Sequence, residues 1–78
     1  MNDRWNDEAA VGLLRAALAE IDALCDELLP TLAQALLDEF ERDVGNAFLR
    51  QDLLAVNVTC ERYQRRFCTL AKEAKLRR

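Results

Sequence analysis

Along the first third of the chain, Val11, Leu14, Leu18, Ile21, Cys25 and Leu28 recur at alternating intervals of three and four. That is the period of a helix with one buried side. Leu13, Ala17 and Leu24 lie beside this row, so the apolar stripe is broader than a single seam requires. Asn6 stands where an N-cap belongs, and Asp7 and Glu8 follow in the first turn, where the helix dipole favours carboxylates. A first helix over about residues 7–28 is expected, with Trp5 ahead of its cap and placed to pack back onto the first turns. Pro30 should close it, because a residue that precedes proline is pushed out of the helical region.

The pattern resumes at once. Thr31-Leu32-Ala33-Gln34 has the form of a capping box, in which the Gln34 side chain returns a hydrogen bond to the Thr31 backbone. Ala33, Leu37, Phe40, Val44 and Ala47 then form a seam flanked by Leu36 and Phe48, giving a helix over about 32–50. Gly45 falls inside it at a cost of about 1 kcal/mol relative to alanine. A close approach by another helix is the expected reason for it. Asp52 can cap a third helix over 53–76, whose seam is Leu53, Val56, Cys60, Tyr63, Phe67, Leu70 and Ala74. The β-branched run around Val56, Val58 and Thr59 suits a strand, but the helical period on both sides outweighs it. Short connections imply antiparallel neighbours, hence an all-α, up-down-up three-helix bundle. The rival arrangement merges the second and third helices into one rod, about 67 Å long at 1.5 Å per residue, that dimerises as a coiled coil.

Seventy-eight residues make one domain, residues 1–78. In a chain this short the gain from apolar burial is largely offset by the entropy of ordering the backbone. Assembly as a homodimer, or binding to a partner, is therefore expected. The longest uninterrupted apolar stretch, Ala9 to Leu14, is far short of the ~20 residues of a membrane span, so no membrane role is expected. The segment MNDRWNDE is polar and has no apolar signal-peptide core, which points to the cytoplasm. Nine arginines against two lysines, with much Ala and Leu, suit a GC-rich bacterial genome.

The chain contains no histidine and no serine. It therefore lacks the commonest general base, the commonest metal ligand and the usual hydroxyl nucleophile. Gly12 and Gly45 stand alone, so no glycine-rich phosphate loop exists. An enzyme is not expected, and no catalytic residue, cofactor-binding residue or metal ligand is assigned.

Charge is unevenly distributed. Residues 1–49 carry 11 acidic and 3 basic groups, and residues 50–78 carry 8 basic and 3 acidic, a net of −8 against +5. On the third helix Arg62, Arg65, Arg66, Lys72 and Arg77 trace an outward strip. Cations near a helix C-terminus and pairing with the acidic half both offer structural reasons for it. A nucleic-acid face is the functional one, although the chain as a whole is acidic. Glu20, Asp22, Asp26 and Glu27 decorate the first helix, and Asp38, Glu39, Glu41 and Asp43 the second. These carboxylates read as a solvated face or as a surface for a basic partner.

The segment CERYQRRFC sets Cys60 and Cys68 eight residues apart. On one helix that separation is about 12 Å along the axis, beyond the ~7 Å between Cα atoms that a disulfide allows. Buried thiols acting as small hydrophobes are expected instead, with an intermolecular disulfide through Cys68 as the alternative in oxidising buffer. Tyr63 reads as core with its hydroxyl at the edge, and Trp5 as a partner contact if exposed.

Together these residues describe a small non-catalytic protein-protein interaction module, an adaptor, chaperone or inhibitor of bacterial, plasmid or phage accessory type. Its expected contact residues are Trp5, Leu13, Ala17, Leu24, Arg62, Arg65, Arg66, Lys72 and Arg77, and its partner is another protein or a second copy. The alternative is a nucleic-acid-binding module that uses the basic face of the third helix.

Overall fold

A computed structural model describes residues 5–77, so the first half of the MNDRWNDE segment lies outside the described residues. The Asn6 side chain accepts from the Ala9 N–H at 3.1 Å and starts α1, Asp7–Cys25. The Asp52 side chain does the same for the Ala55 N–H at 3.0 Å and starts α3, Leu53–Leu76. Between them α2 spans Pro30–Leu49. The three helices form a bundle in which α2 runs antiparallel to α1 and α3. Pairs such as Tyr63 with Asp43 and Arg66 with Glu39 fix the antiparallel course of α2 and α3. The pair of Gln64 with Glu20, and the edge-to-face contact of Trp5 with Phe48 at the far end, fix that of α1. The Cα radius of gyration is 13.6 Å, well below the ~19 Å of a 67 Å rod. Helices 2 and 3 are thus separate.

Both connections depart from the expected chemistry. α1 stops at Cys25, and residues 26–28 form a turn held by Glu27 N–H to Leu24 O and Leu28 N–H to Cys25 O, each 3.0 Å. Leu28, beyond the helix, still packs against the core. Pro30 stops nothing. It occupies the first turn of α2, where a missing N–H costs no intrahelical bond. Thr31 consequently falls inside the helix and no capping box forms; the Gln34 amide instead donates to Asp38 at 2.9 Å. At the other end Asp52 N–H donates to Ala47 O and Gln51 N–H to Phe48 O. Gln51 sits in the left-handed region at φ 51°. This is the Schellman closure, with glutamine where glycine is usual.

The core is built from Ala10, Ala17 and Ile21 of α1, Leu36, Phe40, Val44 and Ala47 of α2, and Val56, Cys60, Tyr63, Phe67 and Ala71 of α3, with Ala33 buried near the start of α2. The α3 seam is as expected from Val56 to Phe67 and then shifts to Ala71, which leaves Leu70 and Ala74 half-buried. On α2, Leu36 takes the buried place expected of Leu37. The larger change is on α1. Its buried row is Ala10–Ala17–Ile21, with Leu13, Leu14 and Leu24 packed against it, while Val11 and Leu18 are exposed. The helix is rotated toward its small residues. α1 and α3 accordingly pack extensively, α2 packs on α3 less so, and the backbones of α1 and α2 seldom come close.

Candidate functional site

Because α3 fills the angle between the other two helices, the seam where α1 faces α2 stays open on its outer side. A groove of about 400 Å³ runs there, lined by Leu18 and Ala19 with Asp22 on α1 and by Leu37 with Glu41 on α2. Each wall carries a carboxylate, Asp22 on α1 and Glu41 on α2. Val11, 37% exposed and two turns before Leu18, extends the apolar row toward the N-terminus of α1. Gly45, one turn beyond Glu41 on the same side of α2, leaves open space: a Cβ there would meet no atom within 4 Å. The close approach expected at Gly45 is therefore not made by any helix of this chain.

The expected contact residues are divided by this arrangement. Ala17 is fully buried, and Leu13 and Leu24 pack against the core, so these three are not the spare surface they resemble in the sequence. The surplus of the broad stripe emerges at Val11 and Leu18, on the opposite flank. The signal for this was present in residue size, since Ala10 and Ala17 permit the close approach of α3 that Val11 and Leu18 do not. Trp5 is half-buried. Its ring meets Phe48 edge to face at 5.6 Å and its indole N–H donates to Asp7 Oδ1 at 2.7 Å, so it closes the end of the bundle.

The basic residues of α3 divide as well. Arg66 pairs with Glu39 at 3.4 Å and lies over the Tyr63 ring, 5.7 Å from its centroid. Arg62 borders a shallow recess with Asp43, Asn46 and Arg50 on the α2 side. Arg65 and Lys72 are exposed on the outer face, between the exposed apolar residues Leu54, Val58 and Leu76. Arg77 stands at the opposite end, beside a groove of about 350 Å³ formed by Leu28, Leu29, Leu32 and Leu70. Among the described residues Arg66–Glu39 is the one ion pair between helices. Complementarity within the chain therefore leaves most of the cations of α3 unpaired.

Beneath that ion pair the Tyr63 hydroxyl donates to Asp43 Oδ2 at 2.5 Å. Burial, reinforced by this hydrogen bond and by the charges of Asp43 and Glu39, pushes the Tyr63 phenol above its ordinary value, and Arg66 opposes the shift. Burial also raises the thiols of Cys60 and Cys25, the latter further by Asp22 and Asp26. Thiols held protonated are poor nucleophiles and poor metal ligands. All three cysteines are free, Cys60 buried and Cys25 and Cys68 half-buried. Among the described residues no three Cys, Asp or Glu side chains gather where a metal ion would fit, and no helix is long and apolar enough to cross a membrane.

No protein-family model matches the chain, and no curated protein and no solved structure is significantly similar to it.

Proposed function

We propose that the protein is a non-catalytic interaction module, an adaptor, chaperone or inhibitor, that acts by covering apolar helix surface with another protein chain. The observation that carries this reading is the open α1–α2 seam, where Leu18 is exposed and Leu37 half-buried between the carboxylates of Asp22 and Glu41, with Val11 exposed two turns before Leu18. Uncovered apolar rows rimmed by polar groups are characteristic of surfaces that bind another chain. A small domain that leaves part of its apolar stripe in water gains stability when that stripe is covered. The test places a photo-crosslinking residue at Leu18 in the native host. A discrete protein adduct at Leu18, absent when the same label replaces Arg65, is expected. Labelling at Arg65 alone would sink the reading.

A second reading draws on a separate observation, the cations Arg62, Arg65 and Lys72 of α3, which form no ion pair among the described residues. A nucleic acid bound there would be released steeply by salt, with a log–log slope made shallower by about one for each cation removed. Absence of any DNA or RNA shift at low salt disposes of it.

A further inference from the structure

We propose that the α1–α2 groove receives a basic amphipathic helix from a different protein, its apolar row on Val11, Leu18 and Leu37 and its lysines or arginines against the carboxylates of the two walls. This rests on the interaction reading above and assigns the chemistry of the partner. Along α1 the wall follows Arg15, Ala19 and Asp22, and along α2 it follows Gln34, Asp38, Glu41 and Gly45, each at helical intervals of three and four. Three of these seven positions are acidic and one is basic. A helix lying in the groove presents flanking charges once per turn, at the same ~5–6 Å spacing as the walls. There is also room for it. Ala19 is small, and above Gly45 no atom stands within 4 Å of a Cβ position. A fourth helix can therefore settle there through small residues, as α3 settles on α1 over Ala10 and Ala17.

A second copy of this chain fits poorly. Groove against groove sets the acidic walls of both copies face to face, which like charges oppose. Arg62, Arg65, Arg66, Lys72 and Lys75 lie on α3, on the other side of the bundle from the groove. Pairing cationic α3 with an acidic groove therefore joins copies head to tail, and that arrangement does not close at two.

The test titrates the full isotope-labelled chain with three synthetic 18-residue peptides and follows its backbone NMR signals. One peptide is an amphipathic Leu/Lys helix, one is its Leu/Glu counterpart, and one has the Leu/Lys composition in an order with no apolar face. Saturable binding of the first, with a Kd on the order of 10 μM and shifts centred on Val11, Leu18, Leu37 and Gly45, is expected. Leu18→Lys and Gly45→Leu should each weaken it about tenfold while leaving the helical circular dichroism unchanged. Full affinity in both variants, or equal binding of the disordered-pattern peptide, overturns the proposal. Preferential binding of the Leu/Glu peptide, or self-association abolished by Leu18→Lys, overturns the basic partner but leaves the interaction reading standing. Failure of all three peptides, with no self-association and no crosslink from Leu18, overturns both.

Discussion

α1 meets its two neighbours in different ways. Toward α3 it presents Ala10, Ala17 and Ile21, all essentially removed from water, and the two helices pack extensively. Toward α2 it presents Leu14 and Cys25 half-buried and Val11 and Leu18 exposed, and those backbones seldom come close. Both flanks of α1 are apolar, so hydrophobicity alone does not distinguish them. The small side chains of Ala10 and Ala17 do. Small residues let helix backbones come close and seal the seam, whereas larger ones hold the helices apart and leave a groove unless something fills it. The closed flank carries the stability of the bundle, and the open flank is where function is expected.

Paired truncations on α1 are the strongest way to break this contrast. Ile21→Ala, on the closed side, should cost about 2–5 kcal/mol, and Leu18→Ala, on the open side, less than about 1 kcal/mol. Urea denaturation of both variants measures the difference. Equal costs would mean that α1 and α2 are sealed in solution.

A second pair of helices supplies the next largest effect. The α2–α3 seam is closed at its edge by the Tyr63 hydroxyl on Asp43. Tyr63→Phe should destabilise the protein by about 1–2 kcal/mol, because a half-buried carboxylate loses its donor. Glu39→Gln should change stability by only a few tenths of a kcal/mol, since its pair with Arg66 is exposed on both sides. Thermal unfolding of the two variants separates them.

Two substitutions should stabilise, and they sharpen the comparison between filled and unfilled space. Gly45→Ala adds a methyl where nothing is met within 4 Å and should gain up to about 1 kcal/mol of helix propensity. Gln51→Gly relieves a left-handed position and should gain about 1 kcal/mol. Were Gly45→Ala to destabilise, a neighbouring helix would have to stand closer to Gly45 than the open groove allows.

The smallest effect expected is a pH dependence from the buried Cys60 and Tyr63, to which Cys25 on the open side adds in the same direction. The folded state holds the proton of Cys60 above its ordinary 9.0 and that of Tyr63 above its ordinary 10.0. A group whose value is raised on folding contributes stability that is complete below the unfolded value and lost as pH rises through the folded one. Stability should therefore be flat through neutral pH and decline from about pH 9 upward. In Cys60→Ala and Tyr63→Phe the decline should be shallower, measured as the urea midpoint at pH 7.5, 9 and 10.5. A decline that both variants retain in full would place its source elsewhere.

Much of the fold was legible in the residues. Asn6 and Asp52 announce the starts of α1 and α3 through a local side-chain bond to the backbone, which needs no tertiary context. The heptad-like row from Val56 to Phe67 faces inward because a long, regular period leaves one way to turn that helix. The α1–α2 connection misled because Thr31-x-x-Gln34 and a proline at the first helical position compete for the same start, and the preset φ of Pro30 prevailed. The left-handed Gln51 carried no signal, since glycine or asparagine is the usual mark of such a position.

The sequence by itself determined the helical segments, their apolar sides, and the separation of an acidic first half from a basic last helix, while the break between α2 and α3 was left to the structure. These follow from local propensity and periodicity, which act within a few residues. Only the tertiary structure decided how far α1 is turned, and with it which apolar residues are core and which are surface. A stripe broad enough to serve two neighbours leaves that choice open. It was settled by the close fit of Ala10 and Ala17 beside α3, which placed Leu13, Ala17 and Leu24 against the core and left Val11 and Leu18 beside an open groove.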